Sequence, residues 1–220
     1  MADDYVSPDW ANAVLLTIDT QRDFTLRGAP AEIMGTEEIV PSMRRLVGEF
    51  RLQNRPIIHV VRIYLPDGSN VDICRRGEIE RGKRVVAPES DGAELVDELK
   101  PTPETRLDAE RLLSGELQRV APAEWIMYKP RWGAFYQTPL EGHLQELGVD
   151  TVVVCGCNFP NCPRATVYEA SERDYRVALV ADATSGLYER GAQELENIGV
   201  KLMDVEEVLK RLRVSALGAP

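Results

Sequence analysis

Five short runs with almost no polar interruption constrain this chain more than anything else in it: residues 13–19 (AVLLTID), 56–62 (PIIHVVR), 125–129 (WIMYK), 151–156 (TVVVCG) and 176–182 (RVALVAD). A strand with one wet face alternates apolar and polar residues. A run that is apolar at nearly every position is buried on both faces, as in a parallel sheet covered by helices on each side. Between the runs the period changes. Residues 37–54 place Ile39, Met43, Leu46, Val47 and Phe50 at spacings of three and four, with Pro41 tolerable only in a first turn. Residues 138–147 open with Thr138 and Pro139, read as an N-cap and first-turn pair, and carry Leu140, Leu144 and Leu147 on one face before Gly148. Residues 200–205 and 206–213 supply a last strand and helix.

Alternation of this kind predicts an open α/β sheet with helices on both faces. Residues 63–121 break the pattern with DGSN, several Gly and Pro, and the charged runs CRRGEIERGKR and DAERLL. They are expected to form an extended loop plus one or two helices inserted after the second strand. No linker divides the chain, so residues 1–220 are read as one domain carrying this insertion.

The charge balance, 26 Lys+Arg against 36 Asp+Glu for a net of −10, argues against nucleic acid or anionic lipid as partner, because both need a basic stripe. No apolar run approaches the ~18 residues of a membrane-spanning helix. The first residues are acidic where a signal peptide is basic. Four cysteines, Cys74, Cys155, Cys157 and Cys162, do not make the disulfide framework of a secreted scaffold. The expected compartment is the cytoplasm.

In open α/β sheets ligands bind beyond the carboxyl ends of the strands. Asp19 ends the first run, Arg62 the second and Lys129 the third, while GCNFPNCPRAT follows the fourth and leads into a helical segment, residues 165–173. Cys162 precedes Pro163 and is therefore expected at the N-cap, where the positive end of the helix dipole, and Lys129 if it reaches, would favour a thiolate. Asp19 could accept the thiol proton and return it to a leaving group. The bland reading stays open, since cysteine is among the most buried residue types and Asp after a strand is a common cap. Cys155 lies in a strand with no second ligand pair nearby, so the Cys155/Cys157 pair is not read as a metal site. His59 reads as a core residue and His143 as flanking an apolar helix face; neither is placed for a Ser-His or Cys-His hydrolase.

Four blocks, LLTIDTQRDF, PIIHVVR, MYKPRWGAFYQTPLEGHLQELGVDTVVVCG and GCNFPNCPRATVYEASERDYRVALVADAT, occur in an order and spacing that resembles the isochorismatase-like cysteine hydrolases, a family that includes nicotinamidases, N-carbamoylsarcosine amidases and ureidoacrylate amidases. The resemblance implies a three-layer α/β/α, Rossmann-like fold with a six-stranded parallel sheet ordered 3-2-1-4-5-6. It also implies an Asp-Lys-Cys triad falling on Asp19, Lys129 and Cys162. A cis peptide would fall at Cys157 and Asn158, and the backbone N–H groups of Asn158 and Cys162 would form an oxyanion hole. The family's habit implies a homodimer or homotetramer.

Where nicotinamidases carry an Asp and closely spaced histidines, this chain has RIYLPDGSNVD, so no metal or other cofactor is expected. The expected activity is metal-independent cleavage of a C–N bond, amide, ureido or lactam, in a small molecule. An isochorismatase-type ether or ester hydrolase and a non-catalytic or redox-sensing member of the fold are the alternatives. Phe24, Arg62, Tyr64, Trp132, Tyr136, Phe159, Asn161 and Arg164 are candidate substrate-binding residues, with Arg131, Phe135 and Tyr168 from the same segments. Aromatic and Arg side chains suit a flat or carboxylate-bearing molecule, although aromatics serve equally in packing and subunit interfaces. Arg62, Lys129, Arg131 and Arg164 are expected to gather as a local positive site in an acidic body.

Overall fold

The computed structural model describes residues 5–217. One seven-stranded sheet runs through it, built from β1 (Ala13–Ile18), β2 (Ile57–Val61), β3 (Gln118–Ala121), β4 (Glu124–Tyr128), β5 (Thr151–Gly156), β6 (Arg176–Thr184) and β7 (Lys201–Met203) in the order β3-β4-β2-β1-β5-β6-β7. Every pairing is parallel except that of β3 with β4. The six expected strands thus keep the order 3-2-1-4-5-6. The count of six is corrected to seven, because the inserted segment returns along the sheet edge as β3. That strand is QRVA, half-buried or exposed throughout, and an edge strand of that composition has no continuous apolar run to reveal it.

All residues of β1, β2 and β5 are buried, and their side chains divide by parity, as the two-residue period of a strand requires. Val14, Leu16, Ile58, Val60, Val152 and Val154 face α5 (Leu140–Glu146), α6 (Cys162–Ser171) and α7 (Glu189–Glu196) through Leu140, Leu144, Val167, Ala170 and Leu195. Ala13, Leu15, Ile57, Val153 and Ala178 face α2 (Val40–Leu52) and α8 (Val205–Leu217) through Met43, Leu46, Phe50, Val208 and Leu212. α2 is preceded by a 3-10 turn, Glu37–Ile39, and Pro41 sits in its first turn. Thr138 does not cap α5. The N-cap is Pro139, and the Thr138 hydroxyl turns back to donate to the Ala134 carbonyl at 2.6 Å.

The segment after β2 holds α3 (Ile73–Glu80) and α4 (Ala109–Leu113), two 3-10 turns and β3. With the short α1 (Arg22–Thr25) it forms a third apolar cluster, including Phe24, Tyr64, Val71, Ile79 and Val86, together with Cys157. Since Cys157 directly follows β5, this cluster lies over the carboxyl ends of the strands. No helix among the described residues is long and apolar enough to cross a membrane.

One polar chain crosses the core. Thr17 Oγ1 meets His59 Nδ1 at 2.7 Å, His59 Nε2 meets Glu124 Oε1 at 2.8 Å, and Arg51 of α2 donates twice to the same carboxylate and once to the Leu99 carbonyl. His59 is therefore a satisfied core residue spanning β1, β2 and β4. Burial on its own raises the Glu124 pKa, but the hydrogen bonds and charges of Arg51 and His59 outweigh it and hold the carboxyl down at about 2, against 4.5 for a free Glu. A folded pKa below the unfolded one stabilises above the unfolded value and is lost as pH falls through the folded value. Glu124→Gln is accordingly expected to lower the Tm at pH 7 and to flatten the loss of stability between pH 4.5 and about 2. Thermal melts of both proteins across that range check this.

Candidate active site

Asp19 stands directly after β1 with φ of 53°, in the left-handed region that few side chains occupy without cost. Its backbone is held on both sides: the N–H donates to the Val60 carbonyl at 2.9 Å, and the carbonyl accepts the Cys157 thiol at 3.0 Å. Lys129 stands directly after β4, its N–H donating to the Val61 carbonyl at 3.0 Å. These anchors bring Lys129 Nζ to 3.0 Å from Asp19 Oδ2, in an ion pair with the lysine side chain wholly buried. Nζ also donates to the Arg131 carbonyl at 3.2 Å, which leaves one of its three hydrogens free. The second carboxylate oxygen, Asp19 Oδ1, is buried and makes no hydrogen bond.

Cys162 is the first residue of α6 and the N-cap is Asn161, so the helix starts one residue earlier than the Cys-Pro pair predicts. The expectation of a thiol tuned toward thiolate is also corrected. Burial raises the Cys162 pKa most, the Asp19 carboxylate raises it further, and the charges of Lys129 and Arg62 only partly offset them, for a value of about 12. The resting thiol is therefore protonated at neutral pH and lies within the influence of a carboxylate and a lysine. Cys157 is raised well above 9 by burial and is occupied by the Asp19 carbonyl, and Cys155 is raised to about 12 by burial alone.

The peptide between Cys157 and Asn158 is cis. In the loop that follows, the Phe159 N–H donates to Ser185 O at 2.7 Å, the Asn161 N–H donates to Asn158 O at 3.0 Å, and the Cys157 N–H goes back to Ile18 O at 2.9 Å. Pro160 and Pro163 have no N–H. The backbone N–H groups of Asn158 and Cys162 find no acceptor among the described residues, and both flank the thiol-bearing turn. Two free donors there can stabilise an oxyanion.

The remaining candidates divide. Arg62 and Tyr64 are buried, with the Arg62 guanidinium 5.0 Å from the Tyr64 ring centre. Phe24 and Tyr64 line a cavity of about 210 Å³ together with Arg75, Ile79 and Lys83. Arg131 donates to the Asn70 carbonyl, and Trp132 and Tyr136 are partly exposed on the loop that Lys129 begins. Phe135 packs on Tyr175. Phe159 is committed to the core, fully buried against Tyr188. Asn161 bonds Asn158 Oδ1 through Nδ2. Arg164 is drawn to Glu194 at 2.6 Å and to the hydroxyls of Tyr188 and Tyr168, so it pairs α6 with α7 instead of joining Arg62 and Lys129.

Sequence reasoning missed Asp72 and Arg75. Asp72 Oδ2 takes a 2.6 Å hydrogen bond from Arg62 Nη2, and Arg75 donates to the Tyr64 hydroxyl at 2.9 Å. Both lie in the irregular inserted segment, where only an acid ten positions after Arg62 hinted at a partner. Gln21 was missed as well. Its amide accepts from the Arg62 N–H at 2.7 Å and donates to the Arg62 carbonyl at 2.8 Å. The donor set does not fit a metal: no group of three His, Cys, Asp or Glu side chains among the described residues could hold one, and Asp72 is committed to Arg62.

A family model described as the isochorismatase domain matches residues 13–112 and 108–207. A protein of Arabidopsis thaliana described as a probable inactive nicotinamidase is 33% identical over 90% of this chain and 95% of its own length. The ureidoacrylate amidohydrolase RutB of Methylobacterium radiotolerans is 26% identical over 81% of this chain and 69% of its own. Among solved structures, an isochorismatase family protein from Desulfovibrio vulgaris superposes with a TM-score of 0.76 at 30% identity, covering 92% of this chain and 98% of that one.

The approach of β5 to β1 sets this geometry. Gly156 has φ of 115°, and a Cβ there would lie 2.2 Å from the Ile18 carbonyl oxygen and 2.6 Å from the Ile18 nitrogen, both backbone atoms that cannot move aside. Gly156→Ala is expected to cost about 3 kcal/mol or more, in the range of severe backbone and packing conflicts, and to displace the loop carrying Asn158 and Cys162. Denaturant unfolding measures the first effect and the labelling rate of Cys162 by iodoacetamide the second.

Proposed function

Because this chain belongs to the isochorismatase family, we propose that it is a cysteine hydrolase cleaving a C–N bond of a small molecule without a metal, through a thioester on Cys162. One observation carries the reading: Lys129 holds one oxygen of the Asp19 carboxylate and leaves the other, buried and unbonded, in the surroundings of a protonated thiol. A buried acceptor without a donor is costly and has a use when a proton must be taken.

Asp19 takes the Cys162 proton as Sγ attacks the scissile carbonyl. The developing oxyanion meets the free N–H groups of Asn158 and Cys162. Collapse breaks the C–N bond, and the leaving nitrogen takes its proton from Asp19. Water then attacks the thioester with Asp19 again as base, releasing the acid and returning the thiol. Lys129 holds Asp19 in place and balances the charge that moves between carboxylate and sulfur. The thiol needs no low pKa of its own, because the acceptor sits beside it.

Nicotinamide hydrolysis supported by a metal is not part of the proposal, since the residues after β2 lack the donors for it. The likeness to an amidohydrolase, RutB, supports a carbon-nitrogen bond over an ether or ester.

Cys162→Ala is expected to lower hydrolysis of a responsive amide, ureide or lactam by about 10³-fold or more while leaving the fold intact, and Asp19→Asn by about 10²- to 10⁴-fold. Ammonia or amine release, read beside the melting curve, checks both. Retained activity in Cys162→Ala overturns the mechanism. Release of an alcohol without amine assigns an ether or ester bond. A reversible disulfide among Cys155, Cys157 and Cys162 under mild peroxide, with no hydrolysis, replaces the reading with a redox one.

A further inference from the structure

Arg62 is built unlike a structural arginine. It stands directly after β2, and β2 lies between β1 and β4, so it is one strand, about 4.8 Å, from the ends that carry Asp19 and Lys129. Gln21 clamps its backbone N–H and carbonyl together. Its side chain is 2% exposed, yet the guanidinium makes one hydrogen bond, from Nη2 to Asp72, and Nε is buried with no acceptor. A guanidinium has five N–H donors in a planar fork, so most of this one's capacity is unspent inside the protein.

The direct ion pairs around it leave one cation over. Arg62, Arg75 and Lys129 are the cations, and Asp19 and Asp72 are the anions paired with two of them. Arg75 instead meets the neutral Tyr64 hydroxyl, which in turn reaches Asp72 Oδ2 at 3.4 Å. Glu78, the next acid along α3, is exposed and paired with Lys83. Among the described residues Arg75 therefore has no carboxylate in direct contact, and a largely buried guanidinium without one can take an anion. Arg62 follows the strand that lies between those carrying Asp19 and Lys129, and its charge is felt at the Cys162 thiol, so the unpaired donors face the same end of the sheet as the nucleophile.

We propose that Arg62 determines the specificity of this site by binding a carboxylate that the substrate carries within a few bonds of its scissile carbonyl, with Asp72, Tyr64 and Arg75 as positioning residues. The inference rests on the hydrolase reading for the carbonyl, but not for the anion site. A fork of charge-assisted hydrogen bonds gives such a carboxylate both its affinity and its orientation.

Iodoacetate and iodoacetamide test this without a known substrate, since they differ by the carboxylate alone. With either, Sγ–C forms as C–I breaks, iodide leaves and the thiol proton passes to Asp19. Rates at Cys162 are read by peptide mass spectrometry against N-acetylcysteine amide in the same tube. The ratio of iodoacetate to iodoacetamide is expected to exceed that of the reference thiol by about tenfold or more, the worth of a hydrogen-bonded ion pair. It is expected to collapse to the reference value in Arg62→Gln and to fall partway in Arg62→Lys. A native ratio no higher than the reference, or one unchanged in Arg62→Gln, overturns the proposal and leaves the nucleophile standing. If Arg62→Gln does not fold, an unchanged ratio in Arg62→Lys overturns it as well. Failure of both reagents to reach Cys162 overturns this proposal and the hydrolase reading together.

Discussion

The ion pair between Asp19 and Lys129 is the constraint on which the site depends. Two opposite charges have been taken out of water, and such a pair holds only where its geometry is enforced, because removing either partner strands the other. Enforcement comes from the sheet. The Asp19 N–H is tied to β2, the Lys129 N–H is tied to β2 as well, and β2 lies between the two strands that deliver them. The carboxylate is therefore placed by strand register, with no reliance on a flexible loop, and its unbonded oxygen keeps a fixed direction.

That rigidity explains the thiol. Reactive cysteines are commonly activated by a lowered pKa. Here burial and the nearby carboxylate act the other way and carry Cys162 to about 12. The thiol rests as SH, and in the proposed reaction its proton moves to Asp19 only when a carbonyl arrives. Cys157 beside it is spent on the Asp19 carbonyl, which helps keep Asp19 in its left-handed conformation.

Much of the fold was legible because burial on both faces writes itself into composition. Residues 13–19, 56–62 and 151–156 could hardly be anything other than interior strands, and the period of 37–54 marked α2 even with its proline. The strand that escaped, β3, is polar and lies at an edge, where pairing needs no apolar side chains. Helix ends shifted by a residue at Cys162 and Pro139 because capping depends on where a side chain finds its partner, and the Thr138 hydroxyl found the Ala134 carbonyl. Arg164 and Phe159 are, like Arg62 and Tyr64, an arginine and an aromatic ring, but Glu194 of α7 and Tyr188 just before it receive them.

By itself the sequence determined the layered α/β class and picked out Asp19, Lys129 and Cys162, which follow strands or open a helix, since apolar runs and local turn chemistry are properties of neighbours along the chain; the strand order came from the family resemblance. The tertiary structure alone decided that burial and the Asp19 carboxylate outweigh the charges of Lys129 and Arg62 at the thiol, that Asn158 and Cys162 keep their N–H groups free, and that Arg62 is met by Asp72 from the inserted segment and clamped by Gln21. Those outcomes depend on desolvation and on partners from distant elements, and neither quantity exists until the chain has packed.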